Sequence, residues 1–543
     1  MKRDTCAEKT IILYSIFYIL SSNLFGQVDT AWVRRYNGPW SSFDEARGFA
    51  IDVAGNVYVT GTAAGWFYDD YATVKYDASG VQQWVQIVDG GSYDYAEDIA
   101  VDISGNVYVT GGSYHYPYVY DYLTIKYNSA GIGQWGAYYN HGYDIACAIA
   151  VDNSGNVYVT GESDGDYATI KYNANGDTVW VRRYNGPSNN DDQAYAMVVD
   201  NAGNVYVTGN SYSSTTNYDW ATIKYNTSGD TIWARRYNGP GNGIDQANAI
   251  VVDGLGNVYA TGYSYGLGSA QDYTTIKYNS TGIAQWVVTY NGPGNDYDEA
   301  LAVAIDNSGN IYVTGRSTGL GTYYDYATIK YNSAGVEQWV VRHNDTANNN
   351  DEAYAIAVDN IGNAYVTGGS CDISTNMDYV TIKYNSAGIE QWLTRYNGPG
   401  NGDDGACSIA IDGSDNVYVA GTSYGSTTYY DYLTIKYIQT QGLEESNETA
   451  KLINDNFTAC PNPAKLLTAI RYSLHAESEV TLNLYDISGR LVKTFVNERK
   501  NAGNYSIIWN GTDDNGRKVG EGVYFCILKT DGKCLQKKIM LVK

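Results

Sequence analysis

The chain has 543 residues, which is long enough for more than one domain, and it carries a formal net charge of -24. Such an acidic surface disfavours DNA, RNA and anionic membranes as partners, because all three are negatively charged, and it suits cations or basic partners. Glycine (59 residues) and tyrosine (56) are abundant and proline (8) is scarce, a composition typical of many turns and strands.

The N-terminal segment has the pattern of a signal peptide. Basic residues precede an apolar run at 11–20, and small and polar residues follow it. We predict a signal peptide at residues 1–27, cut near Gly26 or Gln27, and hence a secreted or cell-surface protein. The run is too short for a permanent transmembrane helix, and we expect no transmembrane segment in the mature chain.

One pattern recurs eight times along the chain. A clear copy, 351–368, reads DEAYAIAVDNIGNAYVTG, and its second Asp recurs every 48 to 53 residues. A period of this size indicates a repeat architecture. The second Asp of the pattern is Asp52, Asp102, Asp152, Asp200, Asp253, Asp306, Asp359 and Asp412.

Each repeat holds four segments of alternating polarity bounded by turns, which we call strands a to d. In the sixth copy we predict strand a at 302–305, strand b at 311–314, strand c at 326–331 and strand d at 339–343. Four-stranded antiparallel units that repeat in this way are typical of the blades of a β-propeller, so the predicted fold class is all-β.

The two ends of the repeat array are predicted to complete each other. Residues 28–39 match 229–240 almost letter for letter, so the mature chain begins with a lone strand d, whereas the last repeat, 406–437, ends after strand c. We predict that the N-terminal strand completes the last blade and closes an eight-bladed propeller at residues 28–437. Closure would leave no blade with an unpaired inner edge.

The composition changes beyond the repeats. Residues 438–455 are polar and predict a linker, and the alternating strands that follow predict a small C-terminal β-sandwich at residues 456–543. From Phe457 onward the chain has 13 Lys and Arg against 8 Asp and Glu, so this domain is basic whereas the propeller is acidic.

Both parts resemble known families. Over residues 31–437, the unit A-x-A-x-D-x-x-G-N-x-Y-V-T-G followed by D-Y-x-T-I-K-Y-N-x-x-G resembles the bacterial repeat family named for seven-bladed β-propellers, here in eight copies; that family is not tied to one activity. The tail resembles the C-terminal sorting domain of the type IX secretion system and the related immunoglobulin-like domain of flagellar hook-cap proteins. This second resemblance implies export across an outer membrane, with the secretion machinery as a partner. The matching residues of the tail are Pro461-Asn462-Pro463, Tyr485-Asp486, Trp509 to Asp513 and Gly522 to Phe525.

Variable residues of the repeats concentrate in the b–c and d–a loops. These loops share one face of the predicted disc, the loop face, whereas the short a–b and c–d turns lie on the other, the turn face. Variable loops on a rigid scaffold usually carry binding sites, so we predict the ligand site on the loop face. Its tyrosines are expected to stack on sugar rings or protein side chains, or alternatively to fill strand ends. The candidate ligand-binding tyrosines are Tyr263, Tyr265, Tyr323, Tyr324, Tyr424, Tyr429 and Tyr430.

Two aspartate columns also map to the loop face in all eight repeats. The first, just before strand a, should ring the mouth of the central channel and is a candidate site for Ca²⁺ or a cationic partner. The alternative is that each carboxylate accepts backbone N–H groups of its own turn, so that no metal or other cofactor is required. The second column opens strand c. The first column is Asp44, Asp94, Asp144, Asp192, Asp245, Asp298, Asp351 and Asp404, and the second is Asp70, Asp121, Asp166, Asp219, Asp272, Asp325, Asp378 and Asp431.

Other recurring features are expected to be structural. A lysine near the end of strand c, such as Lys277, is predicted to pair with acidic neighbours between blades. Four repeats fit the G-x-S-x-G nucleophile elbow, as at 315–319, but lack the helix and the recurring His that such an elbow needs. The seven cysteines include no CxxC pair and no even framework, which argues against a disulfide scaffold or a zinc site.

These features predict an exported, non-enzymatic binding or adhesion propeller that recognises a glycan, a cell-surface polymer or a protein. One alternative is a secreted polysaccharide-active enzyme, against which the near-identity of the repeats argues, because an active site requires one blade to differ. The sign of an enzyme would be one blade whose loop face breaks the pattern and carries a perturbed carboxylate pair. The other alternative is a purely structural component of the cell surface.

Overall fold

The computed structural model describes residues 27–115, 119–345, 347–373, 376–440, 458–460, 467–474, 477–486, 490–530 and 533–541. The predicted signal peptide, apart from Gln27, and most of the predicted linker lie outside these residues. The described chain is all-β, and no helix in it is long and apolar enough to cross a membrane. It divides into two compact units, Met1–Gly442 and Leu443–Lys543.

The described strands of the first unit form eight antiparallel sheets of four strands each. Within sheets 1 to 7 the strands lie side by side in chain order, because short turns with a glycine at positive φ join strand a to b and strand c to d, as at Gly309 (φ 77°) and Gly335 (φ 79°). Sheet 1 holds β2 (Glu45–Ile51), β3 (Val57–Ala64), β4 (Asp69–Tyr76) and β5 (Gln82–Val88); sheet 2 holds β6 (Asp94–Val101), β7 (Val107–His115), β8 (Val119–Tyr127) and β9 (Gly133–Tyr139); sheet 3 holds β10 (Asp144–Val151), β11 (Val157–Ser163), β12 (Asp166–Tyr172) and β13 (Thr178–Tyr184); sheet 4 holds β14 (Asp192–Val199), β15 (Val205–Ser213), β16 (Asn217–Tyr225) and β17 (Thr231–Tyr237); sheet 5 holds β18 (Gln246–Val252), β19 (Val258–Tyr265), β20 (Gln271–Tyr278) and β21 (Ala284–Tyr290); sheet 6 holds β22 (Asp298–Ile305), β23 (Ile311–Thr318), β24 (Tyr324–Tyr331) and β25 (Glu337–His343); sheet 7 holds β26 (Asp351–Val358), β27 (Ala364–Cys371), β28 (Met377–Tyr384) and β29 (Glu390–Tyr396).

Sheet 8 combines the two ends of the repeat array. It holds β30 (Asp404–Ile411), β31 (Val417–Tyr424) and β32 (Tyr430–Thr440), and its fourth strand is β1 (Gln27–Tyr36). β1 runs antiparallel to β32. The strand predicted to be spare at the N-terminus therefore pairs beside the repeat that lacks a strand d.

Some predicted boundaries were wrong. In sheet 6, strand a begins at Asp298 rather than at residue 302, and strand b runs to Thr318. A β-bulge between Ala300 and Ala302 interrupts the alternation on which the prediction relied. The predicted linker also begins too early, because residues 438–440 belong to β32, where they pair with the first residues of β1.

Neighbouring sheets pack through aromatic and aliphatic side chains. Tyr259 and Tyr273 of sheet 5, for example, are buried in one cluster with Val313 of sheet 6. Trp286 of sheet 5 donates its indole N–H to the Ser333 carbonyl of sheet 6 at 3.3 Å. The tryptophan of each strand d therefore fastens its sheet to the next one.

The recurring lysine has a similar role, which corrects our prediction of pairing with acidic neighbours. Lys277 lies 5.1 Å from the centre of the Tyr259 ring and donates to the same Ser333 carbonyl at 3.0 Å. Its contacts are thus a π face and a backbone carbonyl, both of which suit a partly buried ammonium group. Five other lysines donate to a turn carbonyl of the next sheet in the same way: Lys75, Lys126, Lys171, Lys330 and Lys436.

Sheet 8 makes these same contacts with sheet 1. Trp32 of β1 and Lys436 of β32 both donate to the Ala78 carbonyl, at 3.3 and 3.1 Å. Sheet 8 lacks a c–d turn, and the Gln439 side-chain oxygen accepts the bond from Lys383 of sheet 7 at 2.7 Å in place of a turn carbonyl. The contacts between consecutive sheets are therefore repeated between the last sheet and the first.

The second unit contains two sheets. One has the order β33 (Thr458–Cys460), β34 (Thr468–Leu474), β37 (Gly503–Trp509), and the other has the order β36 (Leu491–Lys500), β35 (Ser478–Asp486), β38 (Gly522–Thr530), β39 (Lys533–Leu541). Residues from both sheets share one buried cluster, with Ile470 and Trp509 on one side and Leu482 and Cys526 on the other. The prediction of a small C-terminal domain built from β-strands is therefore confirmed.

Candidate functional site

The first aspartate column is fully buried. Asp298 shows the arrangement: its Oδ2 accepts the Gly292 amide at 2.6 Å and its Oδ1 accepts the Thr318 amide at 3.1 Å. The carboxylate thus ties the d–a loop to the end of strand b, and burial raises the pKa of Asp298 to about 6. All eight members are 0% exposed, so the column presents no surface to a large ligand: Asp44, Asp94, Asp144, Asp192, Asp245, Asp298, Asp351 and Asp404.

The second column is neutralised by arginine in five sheets. In sheet 6, Arg342 of strand d pairs with Asp325 at 2.7 Å and donates to the Ser317 hydroxyl at 2.5 Å. Ser317 is the central serine of a G-x-S-x-G match, and its hydroxyl is held by a guanidinium group rather than by a base. The corresponding ion pairs are Arg35–Asp431, Arg183–Asp166, Arg236–Asp219 and Arg395–Asp378.

The candidate tyrosines occupy different environments. Tyr263 is only 8% exposed, whereas Tyr323 is 67% and Tyr429 is 62% exposed. Tyr265 is half-buried. Tyr324 lies under the Arg316 guanidinium, 4.9 Å from it, and Tyr424 contacts both Tyr429 and Tyr430 through ring edges.

An exposed aromatic cluster on sheet 1 was not predicted. It consists of Trp40 in the d–a loop before β2 and of Trp66 and Phe67 in the b–c loop, and these side chains are 46%, 67% and 80% exposed. The Trp40 and Trp66 rings meet edge to face at 4.3 Å. Phe43, in the same d–a loop as Trp40, contacts the predicted Tyr430 edge to face at 5.2 Å.

The sequence did contain a signal for this cluster. Trp40 and Trp66 lie outside the tryptophan column of strand d, and Trp40 stands where three other repeats have glycine. A large apolar residue at an exposed, otherwise small position indicates an interaction surface. The three glycines are Gly241, Gly294 and Gly400.

A group of three carboxylates lies between sheets 1 and 2, with Asp70 in β4, Asp89 directly after β5 and Asp94 at the start of β6. Oxygens of Asp70, Asp89 and Asp94 lie within 4.8 Å of one another. Two charges at that distance repel by about 3.5 kcal/mol at an effective dielectric of 20. Burial, followed by the charges of Asp89, Asp94 and Asp69, raises the pKa of Asp70 to about 6.

Family models match segments in both parts of the chain. Five segments match the beta-propeller repeat SBBP, and residues 467–531 match the FlgD Ig-like domain. The chain therefore carries SBBP repeats followed by a FlgD Ig-like domain, while the type IX sorting role of the tail stays a prediction. The SBBP segments are 83–118, 134–168, 179–215, 232–268 and 285–321.

The chain is similar to solved structures, of which one reaches a TM-score of 0.50. Sqt1 of Chaetomium thermophilum, bound to the N-terminus of the ribosomal protein L10, has a TM-score of 0.50 at 10% identity, over 75% of this chain and 99% of that one. A Bacteroides caccae protein of unknown function has a TM-score of 0.33 at 10% identity, over 52% of this chain and 93% of that one. No curated protein matches the sequence.

Proposed function

We propose that the eight sheets form one closed propeller and that this propeller is a non-enzymatic binding protein. The observation that carries the proposal is the exposed aromatic cluster of Trp40, Trp66 and Phe67 on the loop face. Aromatic side chains exposed together are costly in water and are favoured where a partner covers them. Sqt1, which has a similar fold, is bound to a protein partner in its solved structure. This supports a binding function for the fold.

A glycan is the ligand that best fits this surface. Indole and phenyl rings offer flat apolar faces for sugar rings, and the adjoining Asn37, Ser41 and Asp69 offer polar groups for hydroxyls. The net charge of -24 disfavours a polyanionic glycan, so the proposed ligand is neutral or cationic.

A glycan array probed with the wild type and with the double variant Trp40→Ala/Trp66→Ala tests the proposal. Loss of two ring contacts at the centre of a site should weaken binding by about 30-fold or more, which corresponds to roughly 2 kcal/mol. Both side chains are exposed, so the thermal unfolding midpoint should change little.

Two matched variants serve as controls. Leu255→Ala removes an apolar side chain that is 82% exposed on the turn face, and Tyr323→Ala removes a predicted tyrosine of another repeat; both should bind like the wild type. Wild-type protein that binds no glycan, or a double variant that binds as well as the wild type, would contradict glycan recognition by this cluster.

The first repeat also favours a second candidate, a polysaccharide-active enzyme. Its loop face departs from the pattern, and Asp70 is a perturbed carboxylate with acidic neighbours, which is the condition set above for an active site. Of the three carboxylates, however, Asp94 is fully buried and Asp70 is 8% exposed, so only Asp89 is open to a substrate. Analysing any bound glycan for cleavage products separates this candidate from binding alone.

A further inference from the structure

After sheet 1, a carboxylate side chain stands at a position where the other repeats have an asparagine side chain. Asp89 follows β5, and in the seven other repeats the equivalent residue is asparagine. In the second repeat that asparagine, Asn140, donates a hydrogen bond to Asp121. A carboxylate at this position cannot donate, and instead adds a negative charge beside Asp70. The seven asparagines are Asn37, Asn140, Asn185, Asn238, Asn291, Asn344 and Asn397.

The groups that neutralise the second aspartate column are also missing from sheet 1. Ile87 pairs with Ala72 in the register where Arg342 pairs with Ala327, so an isoleucine replaces the arginine. Ala63 stands opposite Asp70 where Ser317 stands opposite Asp325 in sheet 6, so the serine is lost as well. In the part of the chain that the structure describes, neither Arg nor Lys forms an ion pair with Asp70, Asp89 or Asp94.

A second and independent observation concerns Asp94. In six repeats the Oδ1 atom of this column accepts an amide at the end of strand b, as Asp298 does from Thr318. In sheets 2 and 3 the preceding d–a loop is shorter, and the corresponding amides, those of Tyr114 and Asp164, bond to the carbonyls of Tyr93 and Tyr143 at 3.0 and 2.7 Å instead.

The Asp94 Oδ1 is thus left without a backbone donor, and the Ser113 hydroxyl is its neighbouring side-chain donor. Asp94 is 0% exposed, and among the described residues its Oδ1 has no hydrogen-bond partner of normal geometry; the same holds for the buried hydroxyl of Ser113. Both atoms lie close to Gly90, because a Cβ added there would be 2.7 and 2.8 Å from the two Asp94 carboxylate oxygens and 3.0 Å from the Ser113 Oγ. Buried oxygens of this kind almost always have a partner in folded proteins. The Oδ1 of Asp144 in sheet 3 lacks one as well, but among the described residues only Asp94 has two further carboxylates whose oxygens lie within 4.8 Å.

We propose that Asp70, Asp89 and Asp94 form a binding site for a hard divalent cation, with Ca²⁺ as the ion to test. Carboxylate oxygens without nitrogen or sulfur ligands suit Ca²⁺, Mg²⁺ or Mn²⁺ rather than zinc. Because Asp89 is exposed, the remaining coordination positions are open to water or to a ligand. The site would join the d–a loop after β5 to the base of the b–c loop that carries Trp66, and it does not depend on the identity of the bound partner.

Terbium luminescence and calorimetry on the full protein test the proposal. Tb³⁺ replaces Ca²⁺ on oxygen ligands, and Tyr68 and Tyr93, whose rings meet at 4.9 Å beside the carboxylates, should sensitise its emission. The wild type should bind one Tb³⁺ per chain in this way, and Ca²⁺ should displace it. Asp89→Asn, which installs the residue of the other seven repeats, should weaken Ca²⁺ binding by about tenfold or more, because affinity depends on the number of charged ligands.

Asp29→Asn is the matched control. It removes the same charge from an exposed residue in another sheet and should bind the ion like the wild type. Asp89→Asn also removes a charge that repels Asp70, so the unfolding midpoint of the chelated protein should stay the same or rise. Absence of saturable binding by the wild type up to about 10 mM Ca²⁺, above the range of extracellular calcium modules, would overturn the proposal. Equal affinity of Asp89→Asn and the wild type would do so too, because it would locate the ion elsewhere. Binding of Mg²⁺ or Mn²⁺ that Asp89→Asn weakens would support the site and identify another hard ion.

Discussion

At the scale of single residues, the repeat is held by side chains that bond to backbone. The Asp306 carboxylate accepts the amides of Ser308 and Asn310 at 2.9 Å each, together with the side chains of Asn310 and Tyr312. The Asp298 carboxylate joins a loop to a strand in the same manner. In both columns the carboxylate therefore organises local backbone.

The glycine that ends V-T-G shows how tightly the backbones approach. A Cβ on Gly315 would overlap the Glu299 carbonyl oxygen, which is a backbone atom and cannot turn away. Gly315→Ala should therefore lower the free energy of unfolding by about 3 kcal/mol. The matched variant is Gly405→Ala, where nothing lies within 4 Å of the added Cβ, and it should be neutral or stabilising by about 0.5 kcal/mol.

Urea unfolding of the two variants beside the wild type makes the comparison. Because the Glu299 carbonyl leaves no room for a side chain at position 315, the two variants should differ in free energy of unfolding by more than Gly405→Ala differs from the wild type. Equal stability of the two variants would mean that position 315 tolerates a side chain and that glycine recurs there for another reason.

At the scale of elements, the four strands of each repeat could be predicted from the sequence because the same alternation of polarity occurs in eight repeats. A deviation in one repeat therefore did not hide it. Burial of the first aspartate column could not be predicted, because it depends on how each d–a loop folds back over its own carboxylate. The grouping of Asp70, Asp89 and Asp94 was hidden for a related reason: the three residues come from different elements, and their proximity is set by pairing in space. The departure of Asp89 from an asparagine column was nevertheless visible in the sequence.

Because β1 completes sheet 8 by pairing with β32, deleting β1 tests whether this strand closes the propeller. A variant lacking residues 28–36 loses the buried Trp32 and Tyr36 and leaves β32 without its neighbour. Burying one such side chain contributes roughly 2 kcal/mol, so the truncated protein should be less stable by about 4 kcal/mol.

A synthetic peptide of residues 28–37 should restore the thermal midpoint of that variant, because a ligand that binds only the folded state stabilises it. The same peptide with Trp32→Ala should restore it far less, because it lacks the indole that bonds to Ala78. A truncated protein with the midpoint of the full chain would be incompatible with closure by this strand.

At the scale of the whole molecule, the two aspartate patterns make opposite contributions to pH dependence. Burial raises the pKa of Asp245 and of Asp298 to about 6, and that of Asp351 to about 7, from an ordinary value of 3.8. Partial burial would also raise the pKa of Asp306, but hydrogen bonds from Asn310, Tyr312 and Ser308 outweigh it and lower the pKa below 3.8.

The sign of each contribution follows from proton linkage. Between pH 4 and 7 the folded protein holds protons on the buried carboxyls that the unfolded chain has released, so the free energy of unfolding falls as pH rises through this window, by up to about 1.4 kcal/mol per pH unit for each group. Below pH 3.8 the turn carboxylates reverse the effect, because the unfolded chain then binds more protons than the folded one. Repulsion within a chain of net charge -24 acts in the same direction as the buried carboxyls.

We therefore expect the protein to be most stable near pH 4 to 5 and to lose stability steadily toward pH 7. Thermal unfolding in steps from pH 3 to pH 8, at constant ionic strength and with chelator so that bound cations do not contribute, gives the profile. Asp351→Asn should show a shallower fall between pH 5 and 7 whatever its absolute stability, because one raised carboxyl no longer titrates. A midpoint that rises from pH 5 to 7, or an Asp351→Asn profile parallel to that of the wild type, would show that the buried column does not titrate in this window and that its carboxylates stay charged inside the fold.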